Sequence, residues 1–138
     1  MNDIEFKNLI EKSVYCIEKE KYGHSVFILK ELIPKNFNKA RRELLILHII
    51  NNVNDSLNIS KKYGKLQGYV HLYLDDCGNK NFSRPLFSEI NKRLSDTFQD
   101  TLVELYIYTN SKFLSLVWPL FKQLLDPITQ KKIRIIKK

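Results

Sequence analysis

From residue 69 onward the chain switches repeatedly between two hydrophobic periods, and this alternation restricts its fold more than any other feature. Tyr69 to Leu74 has the length and the aromatic and β-branched make-up of a strand, and it runs into the turn-forming Asp75-Asp76-Cys77-Gly78-Asn79. An apolar stripe of Leu86, Ile90, Leu94 and Phe98 follows at helical spacing, with Ser83 as its N-cap and Pro85 just inside. Leu102 to Thr109 is a second strand. Residues 112–125 form a second helix capped by Ser111, and Lys132 to Ile136 is a last strand beyond the stop at Asp126-Pro127. Strand, helix, strand, helix, strand requires crossovers, which are right-handed, so the sheet is mostly parallel and covered by helices.

Upstream, residues 1–13 read as a short helical lead-in. Val14 to Ile17 and Ser25 to Leu29 bracket a polar turn containing Gly23 and predict a hairpin, with a helix over residues 4–20 as the alternative. Pro34 breaks the chain, and residues 38–57 carry overlapping helical stripes; from Leu44 to Ile50 the helix is apolar almost all round and is expected to be buried on more than one side.

A chain of 138 residues is one domain, and 43% hydrophobic residues suffice to bury the roughly two-thirds of its surface that folding at this size removes from water. The longest stretch without a charged residue, Leu44 to Asn54, is too short to span a membrane. The N-terminus, with Asp3, Glu5 and Glu11, has no signal-peptide layout, so the chain reads as cytoplasmic, and Cys16 and Cys77 as free thiols. The net charge of +8 is uneven: Lys131, Lys132, Arg134, Lys137 and Lys138 fall in the last eight positions, leaving +3 for residues 1–130. Such a tail attracts phosphate on lipid headgroups or on nucleic acid, and charge alone does not separate the two. Basic residues interleaved with exposed aromatics, which a nucleic-acid module needs, are missing, and nucleic acid is not the expected partner.

Chemistry-bearing motifs are nearly absent. There is no nucleophile elbow, phosphate-cradling glycine loop, C-x-x-C or H-E-x-x-H, and so no expected enzymatic activity, cofactor or metal site. His48 on an apolar helix reads as a satisfied core residue. The Asp75-Asp76 pair beside Cys77 needs no role beyond its turn.

The helix at 112–125 is the most informative element. One stripe is Phe113, Leu116, Val117, Leu120 and Leu124, and a second is Leu114, Trp118, Phe121 and Leu125, so it has two apolar faces to place in the core, against a partner or against lipid. Pro119 in its middle removes a backbone hydrogen bond and suits an element that moves. Tyr69, His71 and Tyr73 share one face of the first strand, and Tyr106 and Tyr108 one face of the second; if the faces coincide, they offer either a hydroxyl-studded pocket floor or ordinary core packing.

The run Phe98 to Asn110, then Phe113 to Trp118, then Phe121-Lys122-Gln123-Leu124-Leu125-Asp126-Pro127 and Lys132-Ile133 resembles the C-terminal half of a CRAL-TRIO lipid-binding domain. Tyr22 to Ile28 resembles the hairpin strand that opens that domain. Arg84-Pro85 is similar to the divergent branch found beside Rho GTPase-activating domains and in neurofibromin. The resemblance spans roughly residues 14–136. It implies one α/β domain with a mixed, mostly parallel sheet, short at both ends, without the N-terminal helical subdomain of transfer proteins. It also implies a mobile gate helix at 112–125 that closes a phospholipid or other hydrophobic ligand against the sheet. Phe113, Leu114, Val117, Trp118 and Phe121 then contact the ligand, with Tyr73, Tyr106 and Tyr108 on the floor. Lys122 and Asp100 occupy the positions that meet an inositol phosphate in phosphatidylinositol-transferring members, with Gln99 in place of the family's proline. The basic residues at 131–138 add attraction to an anionic membrane. The alternative implied by the divergent branch is an interaction scaffold that forms a homodimer or binds a regulatory protein through the apolar helix.

Overall fold

The computed structural model describes residues 1–110 and 112–137. Helix α1, Asp3–Ser13, opens where Asn2 Oδ1 accepts the Glu5 N–H at 2.8 Å, and Asp3 and Glu5 sit at the positive end of its dipole. It is more than a lead-in, because Phe6 and Ile10 are buried in the core. Strands β1, Val14–Lys19, and β2, Tyr22–Ile28, form the expected antiparallel hairpin. Its two-residue turn holds Glu20 and Lys21 at φ 54° and 69°, the left-handed geometry that matches strand twist.

Helix α2, Lys39–Lys61, is capped by Asn38 and continues past the expected end at residue 57. The extra turn is explained by Ser60, fully buried, whose Oγ accepts the Gly23 N–H at 2.8 Å. Strand β3 is Gly68–Tyr73, helix α3 Arg84–Thr97 with the expected Ser83 cap, and strand β4 Leu102–Thr109. Helix α4 is Phe113–Leu124 with Pro119 inside it; the expected Ser111 cap lies outside the described residues. Asp126 does more than stop this helix: it caps a short α5, Pro127–Lys131, before β5, Ile133–Lys137.

The sheet order is β1-β2-β3-β4-β5, antiparallel only at the hairpin, as the alternating pattern predicts. All long helices pack on one face. There Val14 and Phe27 meet Phe6, Phe37, Leu45 and Ile49, while Leu74 and Ile107 meet Phe113, Val117 and Phe121. Each such buried side chain contributes about 2 kcal/mol.

The other face carries no helix and covers itself. His24 stacks on Tyr69, His71 on Tyr106, and Tyr73 on Tyr108, with interplanar angles of 7°, 10° and 8°. The rings stand side by side across β2, β3 and β4 and cover the strands beneath.

Of the four glycines, Gly23 is the one most closely approached by backbone: an added Cβ there would stand 1.7 Å from the Ser56 carbonyl oxygen. Gly23→Ala is therefore expected to lower the unfolding free energy by about 3 kcal/mol or more, since a backbone atom cannot step aside. Gly78→Ala, whose Cβ meets open space, should stay within about 0.5 kcal/mol of the parent in the same urea titration.

Candidate functional site

Between the sheet and its helices a cavity of about 290 Å³ is left unfilled. Its floor is Phe27, Val70, Leu72, Leu105 and Ile107, which alternate with the stacked rings on the same strands. Leu45, Ile49, Val53 and Leu57 of α2 form one wall, and Leu86, Ile90, Leu94 and Phe98 at α3 form the roof. Among the described residues no charged side chain lines it; its polar residues are serines, threonines, asparagines and a tyrosine. The lining is buried at Leu32, Pro34, Phe37 and Asn81 and meets solvent at Ser95, Phe98, Thr101 and Thr129. The mouth thus lies at the end of the sheet where β3, β4 and β5 begin.

Helix α3 buries only Leu86 fully and is tied to its neighbours by polar bonds. Arg93 Nη1 donates to both carboxylate oxygens of Glu43 on α2 at 2.8 Å, and Asn91 Nδ2 donates to the Leu124 carbonyl at the end of α4 at 2.6 Å. These are fixings that hold a roof without filling the space beneath it.

The structure sorts the expected site residues into three groups. Phe113, Leu114, Val117 and Phe121 of α4 are buried against Leu74 and Ile107, and Trp118 is half-buried against the same cluster, so α4 packs into the core as a side wall. Among these residues Phe121 alone reaches the cavity, joined by Leu125; the roof over the sheet is α3 and not the expected gate helix. Lys122 is exposed, and Gln130 Nε2 donates to its carbonyl at 2.8 Å. Asp100, at φ 56°, is exposed in the turn before β4, and its carbonyl accepts from Gln67. Both sit at the mouth end of the sheet.

Tyr73, Tyr106 and Tyr108 do share a face with His71, but it is the face opposite the cavity floor, because Val70 and Leu72 on β3 and Leu105 and Ile107 on β4 alternate with them along the pleat. They are not the pocket floor. The basic tail is also redistributed. As a strand it spreads its charges over about 15 Å: Lys131 and Lys132 lie at the mouth, Arg134 pairs with Glu104 at 2.9 Å, and Lys137 is at the far end beside Thr109. Lys138 lies outside the described residues.

Sequence reasoning missed the roof. The α3 stripe is legible as an amphipathic helix, yet its spacing is the same whether the helix rests on a sheet or spans a gap above it. His48 is satisfied as expected, with Nε2 2.7 Å from the Val14 carbonyl, and Asp76 is tied to Asn110 in its turn. Cys16 and Cys77 are unbridged, and burial pushes the Cys77 thiol up to about 11.

On the ring-covered face a hydrogen-bonded chain links three side chains. The Lys19 carbonyl can only accept, so His24 Nε2 donates to it at 3.0 Å. The bare His24 Nδ1 accepts from His71 Nε2 at 2.9 Å, and His71 Nδ1 accepts from the Tyr108 hydroxyl at 2.8 Å. Burial, then the neighbouring His24, pulls His71 down to about 4.

A five-stranded, mostly parallel sheet with helices on one face and an uncharged apolar cavity beneath them defines a domain built to hold something greasy. The CRAL/TRIO domain family matches residues 10–138, and the chain belongs to it. Members are generally non-enzymatic, and the domain is a lipid-binding or lipid-transfer module. No curated protein matches the sequence. The crystal structure of Sfh5 is similar in fold, with a TM-score of 0.76 at 11% identity over 98% of this chain and 51% of Sfh5, so the chain spans about half of that protein's length. Among the described residues no helix is long and apolar enough to cross a membrane.

The depressed His71 makes stability pH-dependent. Between 6.5, the ordinary value, and about 4, the unfolded chain takes up a proton that the folded one refuses. Unfolding free energy from urea titrations is expected to be highest above pH 7 and to fall as pH drops through that window, and His71→Phe should remove the His71 part of the slope and leave the part due to His24, which burial also pulls down.

Proposed function

We propose that the domain carries one hydrophobic ligand, the acyl part of a phospholipid or another apolar molecule, in the cavity between the sheet, α2 and α3. The observation that supports this reading is an apolar lining, free of charged side chains among the described residues, that is closed at one end and open at the other. At about 30 Å³ per water-sized group, 290 Å³ accommodates roughly ten methylene-sized groups. At about 0.8 kcal/mol each, they contribute about 8 kcal/mol before the cost of association. A longer or second chain requires α3 to lift from its ties to Glu43 and Leu124. The headgroup stays outside, where Lys122 meets a phosphate and Asp100 faces its polar part. Lys131 and Lys132 add about 1 kcal/mol each of attraction to an anionic membrane, so the module works as a peripheral carrier.

The scaffold alternative, a homodimer or a regulatory partner held by α4, has less to work with. Both stripes of that helix turn largely inward, and Leu116, 66% exposed, is the large apolar side chain that it presents to solvent.

Native mass spectrometry of the purified protein, followed by organic extraction, is expected to find one lipid per chain. Leu105→Trp, which fills the floor, should abolish that occupancy while keeping the urea midpoint; a dimer with empty cavities would favour the scaffold. Lys122→Ala should weaken binding of an anionic-headgroup lipid about tenfold at unchanged stability, and equal binding would remove Lys122 from the site.

A further inference from the structure

The mouth end of the sheet carries exposed residues that the cavity does not use. Leu66, 76% exposed, stands in the loop between α2 and β3, two residues before Gly68 of the lining; Ile128, 61% exposed, stands in α5 next to Thr129 of the mouth. They precede β3 and β5, which lie on either side of β4 and about 10 Å apart at ordinary strand spacing. Single exposed aliphatics are common, but these two bracket the one end at which the cavity reaches solvent, and Tyr63 is exposed beside the first.

Their surroundings are basic. Lys61, Lys62 and Lys65 precede Leu66 in sequence, Lys131 and Lys132 follow Ile128, with Lys132 Nζ on the Leu102 carbonyl at 2.8 Å, and Gln130 ties the Lys122 backbone to this end of the sheet. Glu18 pairs with Lys62 and Tyr63, and Asp126 caps α5 while keeping its charge, which leaves Asp96, Asp100 and Asp126 against Lys61, Lys65, Lys122, Lys131 and Lys132. Aliphatic tips within a lysine ring match the two layers of an anionic bilayer, acyl boundary inside and phosphates outside. An acidic protein would match the lysines but would leave both tips without a built pocket.

The geometry points to this end of the sheet as the surface that docks on an anionic bilayer, with Leu66 and Ile128 inserted below the headgroups and the cavity mouth facing the membrane. An apolar ligand then passes between bilayer and cavity without crossing water. The purpose assigned to this docking rests on the cavity being a lipid site, but the docking itself depends only on the rim.

Flotation with vesicles of 7:3 phosphatidylcholine and phosphatidylserine tests it, with pure phosphatidylcholine as comparison. The full chain is expected to float with the first and not the second, and high salt should weaken the association. Leu66→Asp and Ile128→Asp should each reduce flotation at least tenfold, while Leu116→Asp on the outer side of α4 leaves it unchanged; circular dichroism confirms that all three fold. Parent-like flotation of both rim variants, loss on Leu116→Asp, or a parent protein that ignores both vesicles would overturn the proposal, the last returning this end to a protein partner. Uptake of a fluorescent fatty acid without vesicles separates the two readings. Rim variants that keep uptake but lose flotation support docking, whereas a parent that floats yet takes up no probe leaves docking standing and removes the cavity function.

Discussion

Successive right-handed crossovers govern this molecule. β2 to β3, β3 to β4 and β4 to β5 each step to the adjacent parallel strand in the same direction, so α2, α3 and α4 must all lie on one face. Two problems follow from that single constraint. The helix-covered face has to be filled by three helices of unequal fit, and the opposite face has to meet water without any helix. The first is solved incompletely, which leaves the cavity. The second is solved by the row of stacked tyrosines and histidines, whose faces seal one another and whose histidine nitrogens are satisfied by one another, by the Tyr108 hydroxyl and by the Lys19 carbonyl.

The helices differ in how firmly they are held. α2 is set against the hairpin so closely that Gly23 has no room for a methyl group, and α4 is locked by four buried side chains. α3 between them fully buries one residue, rests part of Phe87, Ile90 and Leu94 on the core, and is tied at Arg93 and Asn91. Polar ties exposed to water are individually weak, so the element with the least apolar burial is the one that opens most readily. The roof of the cavity is thus the wall with the fewest fully buried side chains, and it ends at the mouth, where Phe98 and Thr101 lead into β4. In a lipid carrier that placement lets the cavity enlarge without disturbing the sheet.

Much of this architecture was legible in the residues, because each element satisfies a local rule. Period-two runs at Tyr69–Leu74 and Leu102–Thr109, the Ser83 cap with Pro85 behind it, and the alternation of strand and helix lead directly to the mostly parallel sheet. The family was legible too, in Phe121-Lys122 through Asp126-Pro127 and Lys132-Ile133. The site was read less well. The two-faced α4 suggested a lid, whereas both of its stripes found protein to pack against, one on Ile107 and Leu74 and the other beside Phe82 and Phe87. The tyrosine faces coincided as their alternation allowed, but on the side of the sheet away from the helices.

The sequence by itself determined the identity and order of the elements, the direction of the crossovers and the family, since these depend on the periodicity of side chains along one strand or helix and on turn chemistry at its ends. Only the tertiary structure decided which sheet face the helices cover, that α3 and not α4 roofs the cavity, and that Leu66 and Ile128 flank its mouth. Those facts depend on how well three helices fill one surface at once and on which chain ends a parallel sheet gathers at the same edge. Neither is a property of any segment read alone.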